Sequence, residues 1–209
     1  MAKINNGHFG SFQGKIGAVT GVKRRGKFYI RQSITRNSSN TLLQQKVRKQ
    51  FTHVSNIISA FAPILTVGFR NSTYPGATAY NVGFGFNFDK ADKMTGALDP
   101  ADVVVSRGSL INITTPTVTC PSAHTLKAVW TNNSTTSVGA SPDDLVYMVV
   151  YEASDNLICS TFAKRADAEL SINLPSTWVG RSVHSYFFTV SADGNKNSDS
   201  LYGNITAVE

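Results

Sequence analysis

Not one Asp or Glu occurs in the first 88 residues of this 209-residue chain; Asp89 is the first acid. Those 88 residues carry twelve Lys or Arg, whereas residues 89–209 carry eight, against thirteen acids. The net charge of +7 therefore conceals a segregation. Cations with no acid in the same stretch cannot be neutralised locally. The asymmetry points to a polyanionic partner or to head-to-tail docking of unlike halves.

Cysteine is also scarce. Cys120 and Cys159 are the only two, with no Cys-x-x-Cys and no metal spacing, so two buried thiols on strands are expected. No run approaches the roughly 18 apolar residues of a membrane span. No apolar segment follows Lys3 to make a secretory leader. The expected location is the cytoplasm or the inside of an assembled particle, with no membrane partner. At 41% hydrophobic and 16% charged residues the chain is globular rather than disordered, and long enough to bury a core.

Catalytic constellations are missing too. His8, His53, His124 and His184 lack metal-ligand spacing, and there is no nucleophile elbow. Asp143-Asp144 follows Pro142 and fits a solvated turn. Gly10-Ser11-Phe12-Gln13-Gly14-Lys15-Ile16 has three residues between its glycines where a phosphate loop has four, and Ile16 replaces the hydroxyl that would hold magnesium. No enzyme activity, cofactor, metal or small-molecule substrate is expected.

What is present begins with glycine and basic side chains. Gly7, Gly10, Gly14, Gly17 and Gly21 leave one segment nearly bare, which lets another backbone or a large side chain come close. Lys15–Val22 and Lys27–Arg31 read as the strands of a β-hairpin, with Lys23-Arg24-Arg25-Gly26 as a basic turn. Thr41 to Gln44 reads as a capping box. Behind it, Leu43, Val47, Phe51, Val54, Ile58 and Phe61 recur at helical spacing, which predicts an amphipathic helix ending before Pro63. Residues 77–91 fit two templates. Tyr80, Val82, Phe84, Phe86 and Phe88 alternate like a strand, yet Tyr80, Phe84 and Phe88 also line one helical side. Gly83 and Gly85 count against the helix by about 1 kcal/mol each.

From Pro116 onward, short strands separated by turn residues are predicted at 117–120, 126–131, 145–152, 157–163, 168–173, 183–191 and 201–208. Seven strands with an early buried Trp130 fit an immunoglobulin- or fibronectin-like β-sandwich. The stretch Leu174-Pro175 through Tyr186-Phe187-Phe188-Thr189-Val190 to Ser198-Asp199-Ser200 resembles the end of a fibronectin type III domain, which would make Tyr186 its tyrosine-corner residue. The expected fold is α+β. Residues 1–112 form a basic arm, hairpin and helical region, and residues 113–209 form the seven-stranded sandwich.

The opening Met1-Ala2-Lys3-Ile4-Asn5-Asn6-Gly7, then Phe9-Gly10-Ser11-Phe12-Gln13-Gly14-Lys15-Ile16-Gly17, resembles an uncharacterised family of bacteroidete proteins known only as a domain of unknown function. Ala79-Tyr80-Asn81, Ser106-Arg107-Gly108-Ser109-Leu110, Trp130-Thr131-Asn132-Asn133 and Ser198-Asp199-Ser200-Leu201-Tyr202-Gly203 carry the same resemblance. The family implies no activity. A looser resemblance joins the glycine-rich hairpin and the following Gln44-Gln45-Lys46-Val47-Arg48 helix to phage and prophage proteins. In those relatives the Ala-Tyr-Asn segment is helical, which tips 77–90 toward helix.

Two functions follow as expectations. The first is a self-assembling, structural subunit of a phage-like particle or filament, a homo-oligomer that docks through Gly10, Phe12, Gly14, Ile16, Gly17 and Gly21. The second is a nucleic-acid-binding protein that uses the hairpin of residues 15–36. There Lys23, Arg24, Arg25, Lys27 and Arg31 would contact phosphates while Phe28 or Tyr29 stacks on bases, or the hairpin would enter a groove as a β-ribbon.

Overall fold

The computed structural model describes residues 2–4, 12–24, 26–33, 40–71, 76–135 and 139–208. They group into two compact units, Met1–Thr41 and Leu42–Glu209. Of the residues named for assembly or nucleic-acid binding, Gly10 and Arg25 lie outside the described residues.

The first unit is one antiparallel sheet in the order β1-β4-β3-β2, formed by β1 (Ala2–Ile4), β2 (Gly14–Ile16), β3 (Val19–Arg24) and β4 (Lys27–Gln32). The single expected hairpin is thus two hairpins and a further strand. Ile16 pairs with Val19 across a two-residue turn in which Gly17 takes φ 56°. Arg24 pairs with Lys27 across a second such turn, where Gly26 takes φ 75°. Turns this short need positive φ, and glycine reaches it without a Cβ clash.

The second unit is α+β. Its helices are α1 (Leu42–Ala60), α2 (Ala62–Gly68) and α3 (Ala79–Lys90). Its strands are β5 (Thr114–Ser122), β6 (Thr125–Thr131), β7 (Leu145–Glu152), β8 (Leu157–Lys164), β9 (Glu169–Asn173), β10 (Ser182–Val190) and β11 (Leu201–Ala207). They form a four-stranded antiparallel sheet, β11-β10-β7-β8, and a three-stranded one, β5-β6-β9. The expected helix ends at Ala60, before Pro63, and a second helix follows at once. Pro63 lies in the first turn of α2, where a missing N–H costs nothing, and the chain bends by 79° between α1 and α2. Among the described residues no single helix is long and apolar enough to cross a membrane, although the bent α1–α2 pair passes by length and composition.

The segment with two templates is helix, Ala79–Lys90. Thr78 caps it by accepting a hydrogen bond from Asn81 N on its side-chain oxygen at 3.2 Å. Gly83, counted against the helix, faces a close approach. A Cβ there would stand 2.9 Å from Leu65 and 3.1 Å from the Phe69 ring. Tertiary packing outweighs the propensity cost.

Strands β7 and β10 are buried on both faces. On one face Val146, Met148, Val150, Val183 and Phe187 join Leu126, Ala128, Trp130, Ile172 and Trp178 of the three-stranded sheet and its connections. On the other, Val149, Tyr151, Tyr186, Phe188 and Val190 join Val54, Ile58, Phe61, Leu65 and Val82 of the helices. The compact units divide at 41/42, so the residues on either side of the expected 112/113 boundary lie in one unit. The helices are not an appendage, because they cover an apolar sheet face that would otherwise meet water. The same geometry corrects Tyr186. Its hydroxyl donates to Pro100 O at 2.6 Å and its ring meets Phe61 edge-on, so it serves the helix-facing side and is not a tyrosine corner.

Candidate functional site

In the N-terminal sheet, register sorts side chains between two faces, because directly opposed residues share a face and neighbours along a strand alternate. The pairs Gly14–Gly21, Ile16–Val19, Val19–Gln32, Gly21–Ile30 and Lys23–Phe28 define one face. It carries Ile16, Val19, Phe28 and Ile30, with Phe12 laid across Gly21. The pairs Lys15–Thr20, Thr20–Arg31, Val22–Tyr29 and Arg24–Lys27 define the other. One face is apolar and one is basic.

Among the described residues of its own unit, only Phe12 lies across the apolar face. Gly21 is the only buried residue among those whose side chains are described there. Ile16 is 59% exposed and Val19 37%. Gly21 is needed where it is, since a Cβ would collide with the Phe12 carbonyl and come within 2.7 Å of the Phe12 ring. The bare strand expected to admit a neighbour thus admits this chain's own Phe12. Gly14 and Gly17 have positive φ and open space around them.

The expected nucleic-acid residues divide between the faces. Arg24, Lys27, Tyr29 and Arg31 come together on the basic face. Lys23 and Phe28 lie on the apolar one, where the Lys23 ammonium stands 5.3 Å from the Phe28 ring centre. Lys15 and Thr20, absent from the sequence-based set, join the basic face, and Thr20 Oγ1 lies 3.1 Å from Ser33 Oγ. Lys15 is separated from the other cations by turns in sequence and reaches them only through register.

The unit boundary also redraws the charge balance. Residues 1–41 hold eight Lys or Arg and no acid, whereas residues 42–209 hold twelve, against thirteen acids. The larger unit is nearly neutral. It is not the strongly acidic partner that the division at residue 88 suggested.

The larger unit has an exposed apolar stripe of its own. Leu42, Leu43, Val47 and Phe51 lie on the N-terminal half of α1, with Leu43 73% exposed. Beside them runs a groove whose lining includes Leu43, Lys46, Val47, Phe88, Asp89 and Lys93. Only Val54 and Ile58 of α1 are buried, so the sequence stripe continues beyond the core that uses it.

The motif segments that carry the family resemblance have structural roles. Ser106 Oγ donates to Gly68 O at 3.0 Å and to Ser198 O at 2.7 Å, and Ser200 N donates to Ser106 O. Arg107 pairs with Asp199 at 2.8 Å, and Gly108 N donates to the same carboxylate. Asn197 Nδ2 donates to the Val67 and Gly68 carbonyls. A Cβ on Gly108 would collide with Asn197 O. These residues form a seam between α2 and the turn before β11. Trp130-Thr131-Asn132-Asn133 belongs to a second cluster around Arg165, which is fully buried. Trp130 Nε1 donates to Arg165 O at 3.1 Å. The Arg165 guanidinium donates to Asn133 Oδ1 and Ile111 O and pairs with Asp144 at 3.3 Å. Burial pushes it below the usual arginine value, against the opposing pull of Asp144. Asp144 is therefore buried in an ion pair and not solvated in a turn, while Asp143 is exposed.

His184 is half-buried, with Nδ1 2.9 Å from Tyr202 Oη. Cys120 and Cys159 are half-buried thiols that form no disulfide, and Cys120 Sγ donates to Ser122 O at 3.4 Å. Among the described residues no group of three His, Cys, Asp or Glu is placed to hold a metal ion.

No curated protein matches this chain. Among solved structures, it is similar to the solution structure of the fn3 domain of human collagen alpha-1(XX) chain. The two are 11% identical over 48% of this chain and 86% of that one, with a TM-score of 0.37. Residues 11–204 match the Family of unknown function (DUF6266), and the chain belongs to that family.

Proposed function

We propose that this protein is a structural, self-assembling subunit of a phage-like particle or filament, docking onto a neighbouring copy through the apolar face of its N-terminal sheet. The observation that carries the reading is a four-stranded sheet with one apolar face that the described residues of its own unit leave largely exposed. A sheet becomes stable by burying such a face against another layer. Exposed apolar surface of this kind marks an interaction site.

The matching surface on the neighbouring copy is the exposed stripe Leu42, Leu43, Val47 and Phe51. A contact between unlike surfaces of identical chains is heterologous, and it closes into rings or runs on as filaments. The drive is apolar burial and not attraction between oppositely charged halves, because the larger unit is nearly neutral. The strand orders β5-β6-β9 and β11-β10-β7-β8 support a fibronectin type III-like sandwich in the larger unit, an architecture that names no activity by itself.

Sedimentation velocity of the full chain tests the reading. Assembly is expected at tens of micromolar, and Ile16→Asp with Val19→Thr is expected to return monomers. Full-length protein that stays monomeric at every concentration would overturn it.

A further inference from the structure

The opposite face of the same sheet has a separate use, independent of assembly. We propose that it binds single-stranded nucleic acid, with Lys15, Arg24, Lys27 and Arg31 on the phosphates and one base stacked on Tyr29.

Three observations converge. The first is charge: these four cations are exposed, share one face, and lie in a unit without a single acid. Every ion pair among the described residues lies in the larger unit. The second is the alternation Lys27, Tyr29, Arg31 along β4. It puts an aromatic ring between two cations, each about 6.7 Å away along the strand. A cationic surface with a central aromatic is how sequence-tolerant single-strand sites are built, since every base offers a π-face. The third is width. Four strands span about 14 Å between outer axes. A duplex major groove is about 12 Å wide and admits a helix or a two-stranded ribbon. A face of this breadth does not enter a groove, and stacked, paired bases offer Tyr29 nothing to stack on. This replaces the β-ribbon reading of the hairpin. It also removes Lys23 and Phe28 from the site, since register puts them on the other face.

The test is fluorescence anisotropy of the full chain with a labelled oligo-dT of about twenty nucleotides, its duplex with oligo-dA, and heparin as a base-free polyanion. Four phosphate contacts predict a slope of log affinity against log salt near about −3 on the single strand. Lys15→Gln with Arg31→Gln should make that slope about 1.4 units shallower. Lys23→Gln should leave it unchanged. Tyr29→Ala should weaken oligo-dT binding about fivefold to a hundredfold, with Tyr29→Phe retaining affinity and heparin binding indifferent to either. Three results would each overturn the proposal. They are no binding at about 50 mM salt, tighter binding to duplex than to single strand, and an equal slope change from Lys23→Gln and Lys15→Gln.

Discussion

The side-chain amide of Asn87 takes the place of a neighbouring strand for Val104. Its Nδ2 donates to Val104 O at 2.8 Å and its Oδ1 accepts from Val104 N at 2.8 Å. Nδ2 also donates to Gly83 O, one turn back along α3, at 2.8 Å. Val103, Val104 and Val105 are buried and lie outside any helix or strand, so their backbone needs partners from elsewhere. Asn87→Leu keeps the volume and strands a buried donor and a buried acceptor. Each costs about 1–3 kcal/mol, so a loss of about 2–6 kcal/mol is expected in urea unfolding. A change within about 0.5 kcal/mol would mean that water replaces the amide.

Excising the strands alone should fail. A fragment of residues 113–209 exposes Val149, Tyr151, Tyr186, Phe188 and Val190, all buried in the full chain. It is expected to aggregate or to give a poorly dispersed amide spectrum. A fragment of residues 42–209 keeps the helices and should give a dispersed one. Equal dispersion from both would restore a boundary near residue 113.

The two glycines of α3 should respond with opposite signs. Gly85 has open space where a Cβ would go, so Gly85→Ala should stabilise by about 0.5–1 kcal/mol through helix propensity. Gly83→Ala pushes a methyl into the fully buried Leu65 and should destabilise by about 1–3 kcal/mol despite the same propensity gain. Thermal melts of the two variants read the difference directly.

Acid should loosen the larger unit in two steps. Burial holds His184 below its ordinary value of 6.5, against a weaker opposing pull from Asp99. The ring faces Tyr151 and Tyr202 across the helix-covered side of the sheet. For the buried Glu152, burial pushes the carboxyl up. The backbone N–H groups of Asp155 and Ser154, with Arg181, outweigh it and hold the carboxyl below its ordinary 4.5. Both groups bind protons more readily when unfolded, so each contributes stability above its unfolded value and loses it as pH falls. Urea midpoints should decline from about pH 6.5 downward through His184 and more steeply below about 4.5 as Glu152 joins. His184→Gln should flatten the upper step. An unchanged upper slope in that variant would assign the titration to another group.

Local pattern carried much of the architecture. Strands β6 to β11 begin and end within a residue of where alternation and turn residues put them, and the stripe ending at Ile58 and Phe61 gave α1 its buried end. These features depend on neighbours a few positions apart, and such interactions are written in the order of residues. The unbroken apolar run Val146–Tyr151 and the run Tyr186–Val190, interrupted only by Thr189, also carried a signal of two-sided burial, which strict alternation would have denied.

Position along the chain could not say what covers the second face of β7 and β10, nor that Asn87 would reach 17 residues ahead to Val104, nor that Tyr186 would turn toward Pro100. For the candidate site, composition announced a basic, acid-free segment. Register alone assigned Lys15, Arg24, Lys27, Tyr29 and Arg31 to one face and Lys23 and Phe28 to the other. A slip of one residue along a strand moves every side chain to the opposite face, so which cations act together is settled by strand pairing across the sheet and not by their order in the chain.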